Sequence, residues 1–370
     1  LAQSGDLDQG IEFLLAAAKL NEKSVDIYNN LGSFLFQSGR LDEADKALRQ
    51  AIEISPTHAT AHNNLGEVLE QSGRLEEALA AYQAAAELEP SNSSIHCNIG
   101  IVYQRLECFE ASCAALHRAV ALDPASPEAH NNLGNAMKGI GDLEGAATEL
   151  RRAIDLNPNY ANAHQNLGNV LTELMNINEA ITSFKRALKL VPNHPQALVN
   201  LAAALNLKEC LEESEIFARQ AIDIAPNLAE AHNNLGVSLR GQGKYKEAET
   251  CYQKVVELDP SHTTGHSNLI FALDFNSNYS VKDHQEERAR WQKLHTVALT
   301  ANIKPNKNDP DPDRKLRIGY VSADFRRHSA ANCFGPMLLS FDHTQFASYC
   351  YSSNLQQDEM TETFRSAATV

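Results

Sequence analysis

The stretch AHNNLGEVLEQSGRLEEALAAYQAAAELEP, from Ala61 to Pro90, decides the fold because its landmarks return every 34 residues. Pro56, Pro90, Pro124, Pro158, Pro192, Pro226 and Pro260 keep that spacing, and so do Leu31, Leu65, Ile99, Leu133, Leu167, Leu201, Leu235 and Leu269. A small residue follows most of the latter (Gly32, Gly66, Gly100, Gly134, Gly168, Ala202 and Gly236), and Ile270 breaks the pattern in the last copy. Small side chains at a fixed phase are what a close approach of two helices requires. A second small set, Ala44, Ala78, Ala146, Ala180 and Ala248, and a third, Ala51, Ala85, Ala119, Ala153, Ala187 and Ala221, follow in register, with Tyr82, Phe184 and Tyr252 between them. Self-similarity at a fixed period marks a stack of like units rather than one globular core.

Within a copy the spacing predicts helix A over about His58 to Gln71, a turn at Ser72-Gly73-Arg74, and helix B over about Leu75 to Leu88, ended by Pro90. The order L-G-x2-Y, then A-x3-F, then P resembles the tetratricopeptide-repeat (TPR) consensus at that family's own period. The resemblance covers roughly residues 1–275, read as a partial first repeat, about seven full repeats and a final helix. Residues 1–20 read as helix B of an earlier copy, with Leu7 and Ala17 in phase. A helical pair buries only part of its apolar face, so neighbours must stack, and a small rotation per copy winds them into a superhelix with a concave channel suited to an extended ligand.

Asparagine precedes each periodic Leu or Ile in all copies: Asn30, Asn64, Asn98, Asn132, Asn166, Asn200, Asn234 and Asn268. Asparagine is worse than alanine in a helix by about half a kcal/mol, so propensity does not explain the row. Either each amide bonds within or between repeats, or the row grips the backbone of an extended peptide, since an amide both donates and accepts. His62, His96, His130, His164, His232 and His266 are also in register, where the consensus has Trp. Equivalent helices stand about 8–10 Å apart or more, whereas zinc holds nitrogens at about 2.1 Å, so the spacing predicts packing between helices and no metal site.

A formal net charge of −15 and the absence of a basic stripe argue against sequence-independent nucleic-acid binding. No apolar run reaches the about 18–20 residues of a spanning helix, so no membrane partner is expected. Residues Leu1 to Asp6 carry neither a signal peptide nor a transit peptide, and the chain reads as starting mid-structure. The 7 cysteines are odd in number and form no CxxC pair, which favours a reducing, cytoplasmic setting, also nuclear if the source is eukaryotic.

Past Phe271 the register stops. A capping or transitional helix is expected within 276–303, centred on Trp291, Leu294, Val297 and Leu299. Residues 304–314, with Pro305, Pro310 and Pro312, read as a linker. Residues 315–370 then read as strand (Leu316 to Val321), helix (Ala330 to Ser340) and strand (Phe346 to Tyr351), a β-α-β unit that demands a parallel sheet and binds ligands beyond its strands' C-terminal ends, where Ser322 to His328 lie.

The tract from Leu316 to Ser329, LRIGYVSADFRRHS, directly after a repeat array and linker, resembles the opening of the catalytic lobe of the O-GlcNAc transferase family (glycosyltransferase family 41), over about residues 314–355. The resemblance implies a GT-B fold, no tightly bound cofactor or obligatory metal, and transfer from UDP-GlcNAc to Ser or Thr hydroxyls of intracellular proteins. Proteins in extended conformation would be held by the eight-asparagine ladder, and the repeats could also mediate homodimerisation. His328 maps onto the family's motif histidine, a candidate base for the acceptor hydroxyl. Animal members carry a second histidine where this chain has Asn332, so the match is nearer bacterial and plant-type members, and GDP-fucose is the alternative donor. With only about 55 residues after the linker, the chain reads as a fragment that binds protein yet transfers no sugar. The competing expectation is a non-enzymatic scaffold.

Overall fold

The computed structural model describes residues 4–276, 278–296, 315–322, 325–327, 329–340, 344, 346–352 and 358–368. The chain forms two compact units, Leu1–Val297 and Ala298–Val370.

The first unit opens with α1 (Ser4–Leu20), which packs on α2. Seven helical pairs follow: α2 (Val25–Gln37) and α3 (Leu41–Ile54), α4 (Ala59–Gln71) and α5 (Leu75–Leu88), α6 (Ser93–Arg105) and α7 (Phe109–Leu122), α8 (Pro127–Gly139) and α9 (Leu143–Leu156), α10 (Ala161–Glu173) and α11 (Ile177–Leu190), α12 (Pro195–Leu207) and α13 (Leu211–Ile224), α14 (Ala229–Gly241) and α15 (Tyr245–Leu258). A last A helix, α16 (Thr263–Leu273), and α17 (Val281–His295) complete it. Each B helix ends one residue before a capping position that precedes the periodic proline, which has no N–H with which to continue the helix.

The turn between A and B takes one left-handed residue per copy: Gly39, Gly73, Glu107, Gly141, Met175, Glu209 and Gly243, with φ between 57° and 84°. Outside glycine this conformation costs about 1–2 kcal/mol. Met175 is 60% exposed, so little burial is lost on its removal. Met175→Gly is expected to raise stability by about 0.5 kcal/mol after the added freedom of the unfolded chain is subtracted. A higher urea midpoint checks it; an unchanged or lower midpoint removes the strain argument.

Packing inside each pair rests on a matched couple 16 residues apart: Gly32 with Leu48, Gly66 with Tyr82, Gly100 with Leu116, Gly134 with Leu150, Gly168 with Phe184 and Gly236 with Tyr252. In the one full pair that carries alanine at the first position, Ala202, the residue 16 further on shrinks to Ala218, and both are fully buried. Volume is thus conserved across the contact, as a close-packed interior requires. Ser112 and Ser214 interrupt the second alanine set for a reason invisible in the pattern. Each buried hydroxyl donates to the carbonyl of the facing small residue, Ser112 to Gly100 and Ser214 to Ala202, both at 2.8 Å.

Helix α17 docks on α16 by polar groups: Trp291 Nε1 donates to Ser267 Oγ at 3.1 Å, Arg288 pairs with Asp274 at 2.8 Å, and none of its residues is buried. Of the amphipathic stripe expected from the sequence, Trp291 is half-buried and Leu294 is 47% exposed, while Val297 and Leu299 lie outside the described residues.

The second unit contains β1 (Leu316–Ser322), α18 (Ser329–Leu339), β2 (Phe346–Ser352) and α19 (Glu359–Ala367). The strands pair in parallel from Leu316 opposite Phe346 to Ser322 opposite Ser352. The parallel pairing expected from the sequence is present. Phe325, Ala331, Leu338 and Phe364 form a small core, in which the rings of Phe325 and Phe364 meet edge to face at 5.5 Å. The expected linker, residues 304–314, lies outside the described residues.

Candidate protein-binding face

Successive A helices touch one another directly, α2 with α4, α6 with α8, α8 with α10, α10 with α12 and α12 with α14, and no two successive B helices touch comparably. Clefts open between B helices instead, one between α3 and α5 above His62 and Leu65, another between α9 and α11 above His164 and Leu167. The A helices therefore line the inner, more tightly curved side of the solenoid.

The asparagine row lies along that side as a seam. Asn64 Nδ2 donates to Asn29 Oδ1 at 2.9 Å, Asn98 to Asn63 at 3.2 Å, Asn166 to Asn131 at 2.9 Å and Asn268 to Asn233 at 3.0 Å, each reaching back one copy. Where the acceptor asparagine is missing, the bond is rerouted or lost. Gln165 and Val199 occupy the acceptor position in two copies, and there Asn200 turns to Asn169 Oδ1 (2.8 Å) and Asn234 to the Val199 carbonyl (3.0 Å). Cys97 occupies it in a third; Asn132 there accepts from Asn131 at 3.2 Å. Asn30 stands exposed on α2.

Six of the eight amides thus spend an N–H on the A helix of the preceding copy. Among the described residues, the side-chain oxygens of Asn64, Asn98, Asn166 and Asn234 accept from no protein group, and all four side chains are half-buried. A stapled amide is held in one orientation, so these acceptors are pre-aimed rather than floppy.

On the same face, Asn63 Nδ2 donates onward to Glu67 at 2.9 Å. Burial pushes the Glu67 carboxyl up, the bond from Asn63 opposes this, and nearby Glu70 pushes the same way as burial. Two inner cations are neutralised by glutamates, Arg105 by Glu70 at 3.2 Å and Lys138 by Glu173 at 2.8 Å.

The in-register histidines hold loops. His62, His96, His130, His164 and His232 direct Nε2 at the carbonyls of Pro56, Pro90, Pro124, Pro158 and Pro226, at 2.9–3.2 Å. A carbonyl only accepts, so each Nε2 carries the hydrogen. His266 departs from the set: fully buried, it faces Glu287 at 2.7 Å and His295 at 3.0 Å on α17. Burial lowers its pKa, against the pull of the Glu287 carboxylate. Among the described residues no group of three or more His, Cys, Asp or Glu could hold a metal ion.

In the second unit His328 lies outside the described residues. Its neighbour Arg327 donates its backbone N–H to Asp358 at 2.7 Å, and that bond, with others at the α19 N-terminus, holds the Asp358 carboxyl below the usual range.

Residues 23–89, 161–194 and 229–262 match the tetratricopeptide repeat family, and residues 140–174 match a TPR repeat family. These are tetratricopeptide repeats. Among solved structures, the TPR array is similar in fold to one in a crystal structure of the APC/C hetero-tetramer Cut9-Hcn1, at 16% identity and TM-score 0.59 over 72% of this chain and 52% of that one. It is also similar in fold to Pseudomonas aeruginosa pilF, at 20% identity and TM-score 0.51 over 57% of this chain and 96% of that one. The chain thus spans about half the length of the first of these relatives. No curated protein matches the chain. Tetratricopeptide arrays bind protein partners, and no described helix is long and apolar enough to cross a membrane.

Proposed function

We propose that this chain is a protein-binding scaffold that holds an extended stretch of partner polypeptide along its A helices, with the stapled asparagines meeting the partner's backbone. The observation that carries this is the set of half-buried amide oxygens, at Asn64, Asn98, Asn166 and Asn234, aimed by a bond to the preceding copy and otherwise unused by the protein. A backbone grip of this kind reads no side chains, so it suits many partners. Replacing Asn98, Asn166 and Asn234 together by alanine is expected to weaken capture of labelled unstructured peptides about tenfold or more, while the three lost staples lower stability by about 0.5–1.5 kcal/mol each. Fluorescence anisotropy reads the first and urea unfolding the second. Unchanged affinity in a folded triple variant removes the role for the row.

A second reading follows from the second unit. The parallel β1-α18-β2 arrangement and the LRIGYVSADFRRHS tract support a nucleotide-sugar-dependent protein O-glycosyltransferase of GT-B type, to which the array would deliver Ser or Thr. His328 would act on the acceptor hydroxyl there, with UDP-GlcNAc or GDP-fucose as donor. Radiolabel transfer from either donor to protein by the full-length protein tests it; transfer undiminished in His328→Ala removes that residue's role.

A further inference from the structure

The inner face changes character along the array. Each A helix presents a stripe made of its row asparagine and the residues three and seven positions on. In α4 these are Asn64, Glu67 and Gln71, and in α10 they are Asn166, Asn169 and Glu173. In α12 they become Asn200, Ala203 and Leu207, and along α16 and the turn after it Asn268, Phe271 and Phe275. Leu207 is 55%, Phe271 48% and Phe275 56% exposed.

The aromatic end of this stripe is a built surface. Phe275 stacks on Tyr245 at 5.5 Å and meets Phe271 edge-on at 5.0 Å. The turn carrying Phe275 is tied down beside it, where Asn276 Nδ2 and the Tyr279 hydroxyl both donate to the buried Glu249, at 2.7 and 2.6 Å. Arg240 lies over the Phe271 ring at 5.4 Å and reaches Asn268 Oδ1 at 3.4 Å. Unlike Arg105 and Lys138, Arg240 faces no carboxylate among the described residues, in a chain whose net charge is −15. A guanidinium placed over an aromatic ring by a cation–π contact still has N–H donors with which to meet a carboxylate.

We infer that the C-terminal end of the inner face is a subsite for a partner segment in which an Asp or Glu side chain flanks bulky apolar residues, the carboxylate meeting Arg240 and the apolar side chains lying on Phe271 and Phe275. This rests on the scaffold reading above and gives it a preference: backbone grip without selection in the middle copies, side-chain selection at this end.

The experiment is fluorescence anisotropy with three labelled probes in a Gly/Ser frame: one with the core Asp-Phe-Asp-Leu-Asp, one with every Asp replaced by Lys, and one with Phe and Leu replaced by Ala. The first probe is expected to bind at least tenfold more tightly than either control. Arg240→Glu is expected to abolish that preference, Arg240→Lys to retain part of it, and Phe271→Ala with Phe275→Ala to weaken the first probe at least tenfold. Urea unfolding confirms that each variant keeps the array. Equal binding of the three probes, or a first-probe affinity indifferent to Arg240→Glu, overturns the subsite. If general peptide capture persists and still depends on Asn98, Asn166 and Asn234, the scaffold reading survives that result. A dimer in light scattering that these substitutions dissociate, with no probe bound, assigns the patch to a second copy of this chain and also overturns the proposal.

Discussion

Replacing Gly168 with valine is expected to destabilise the array by about 3 kcal/mol or more, at the upper end of what overpacking a core costs. A Cβ at this position would sit 2.5 Å from the Phe184 ring, and that ring is 1% exposed among Leu167, Leu171, Ile181 and Leu205, so it has nowhere to move. Valine also adds a branched side chain to the middle of α10, where χ1 freedom is restricted. The natural pair Ala202 and Ala218 shows how the same contact tolerates a larger first residue once the second shrinks. Phe184→Ala alone leaves a cavity and costs about 3–5 kcal/mol. Combined with Gly168→Ala it should cost less than the sum of the two single changes, because each relieves the other. Urea unfolding followed by circular dichroism reads all four proteins. A Gly168→Val protein that melts like the parent would mean the helices do not approach this closely.

Glu215→Gln is expected to cost about 2 kcal/mol at neutral pH and progressively less in acid. Burial alone would raise the Glu215 carboxyl, but hydrogen bonds from Arg219, Gln242 and Lys244 outweigh it and bring the pKa from 4.5 to about 2. The side chain is 16% exposed, so solvent screens the contacts only in part. Two of these partners, Gln242 at 2.9 Å and Lys244 at 3.0 Å, come from the turn of the next copy, so the carboxylate joins α13 to the turn between α14 and α15. A pKa depressed in the folded state gives stability that is present in full above about 4.5 and is lost as the pH falls toward 2. The stability difference between parent and Glu215→Gln should therefore be flat from pH 7 to 5 and then close. A difference constant down to pH 3 would show that packing, not charge, holds this junction.

How much of this was legible in the sequence depends on whether a residue's partner was local. Helix ends in the repeats were readable almost to the residue, as in α4 and α5, because proline and the turn act on their own backbone. The β-α-β elements were readable for the same reason. Helix α19 was passed over although Asp358 and Thr361 carry a capping box at its start. Glu107, Met175 and Glu209 were not readable as left-handed positions, since only the 34-residue register, carried by glycine in the other copies, marks them. The asparagine row was visible as a pattern, but its bonds were not: whether an amide finds a partner depends on the residue 35 positions earlier, which is Asn63 for Asn98 but Cys97 for Asn132. The histidines were read as packing between helices, whereas five of them hold the carbonyl of a proline six residues back, a spacing visible in the sequence once the bond is known.

The seam bonds reach one copy and no further, and so does the core. Under tension such a molecule has no long-range lock: it should lengthen by small rotations at every junction before any helix opens, then give way one unit at a time. Compliance of that kind lets a single groove adjust its pitch to segments of unequal length.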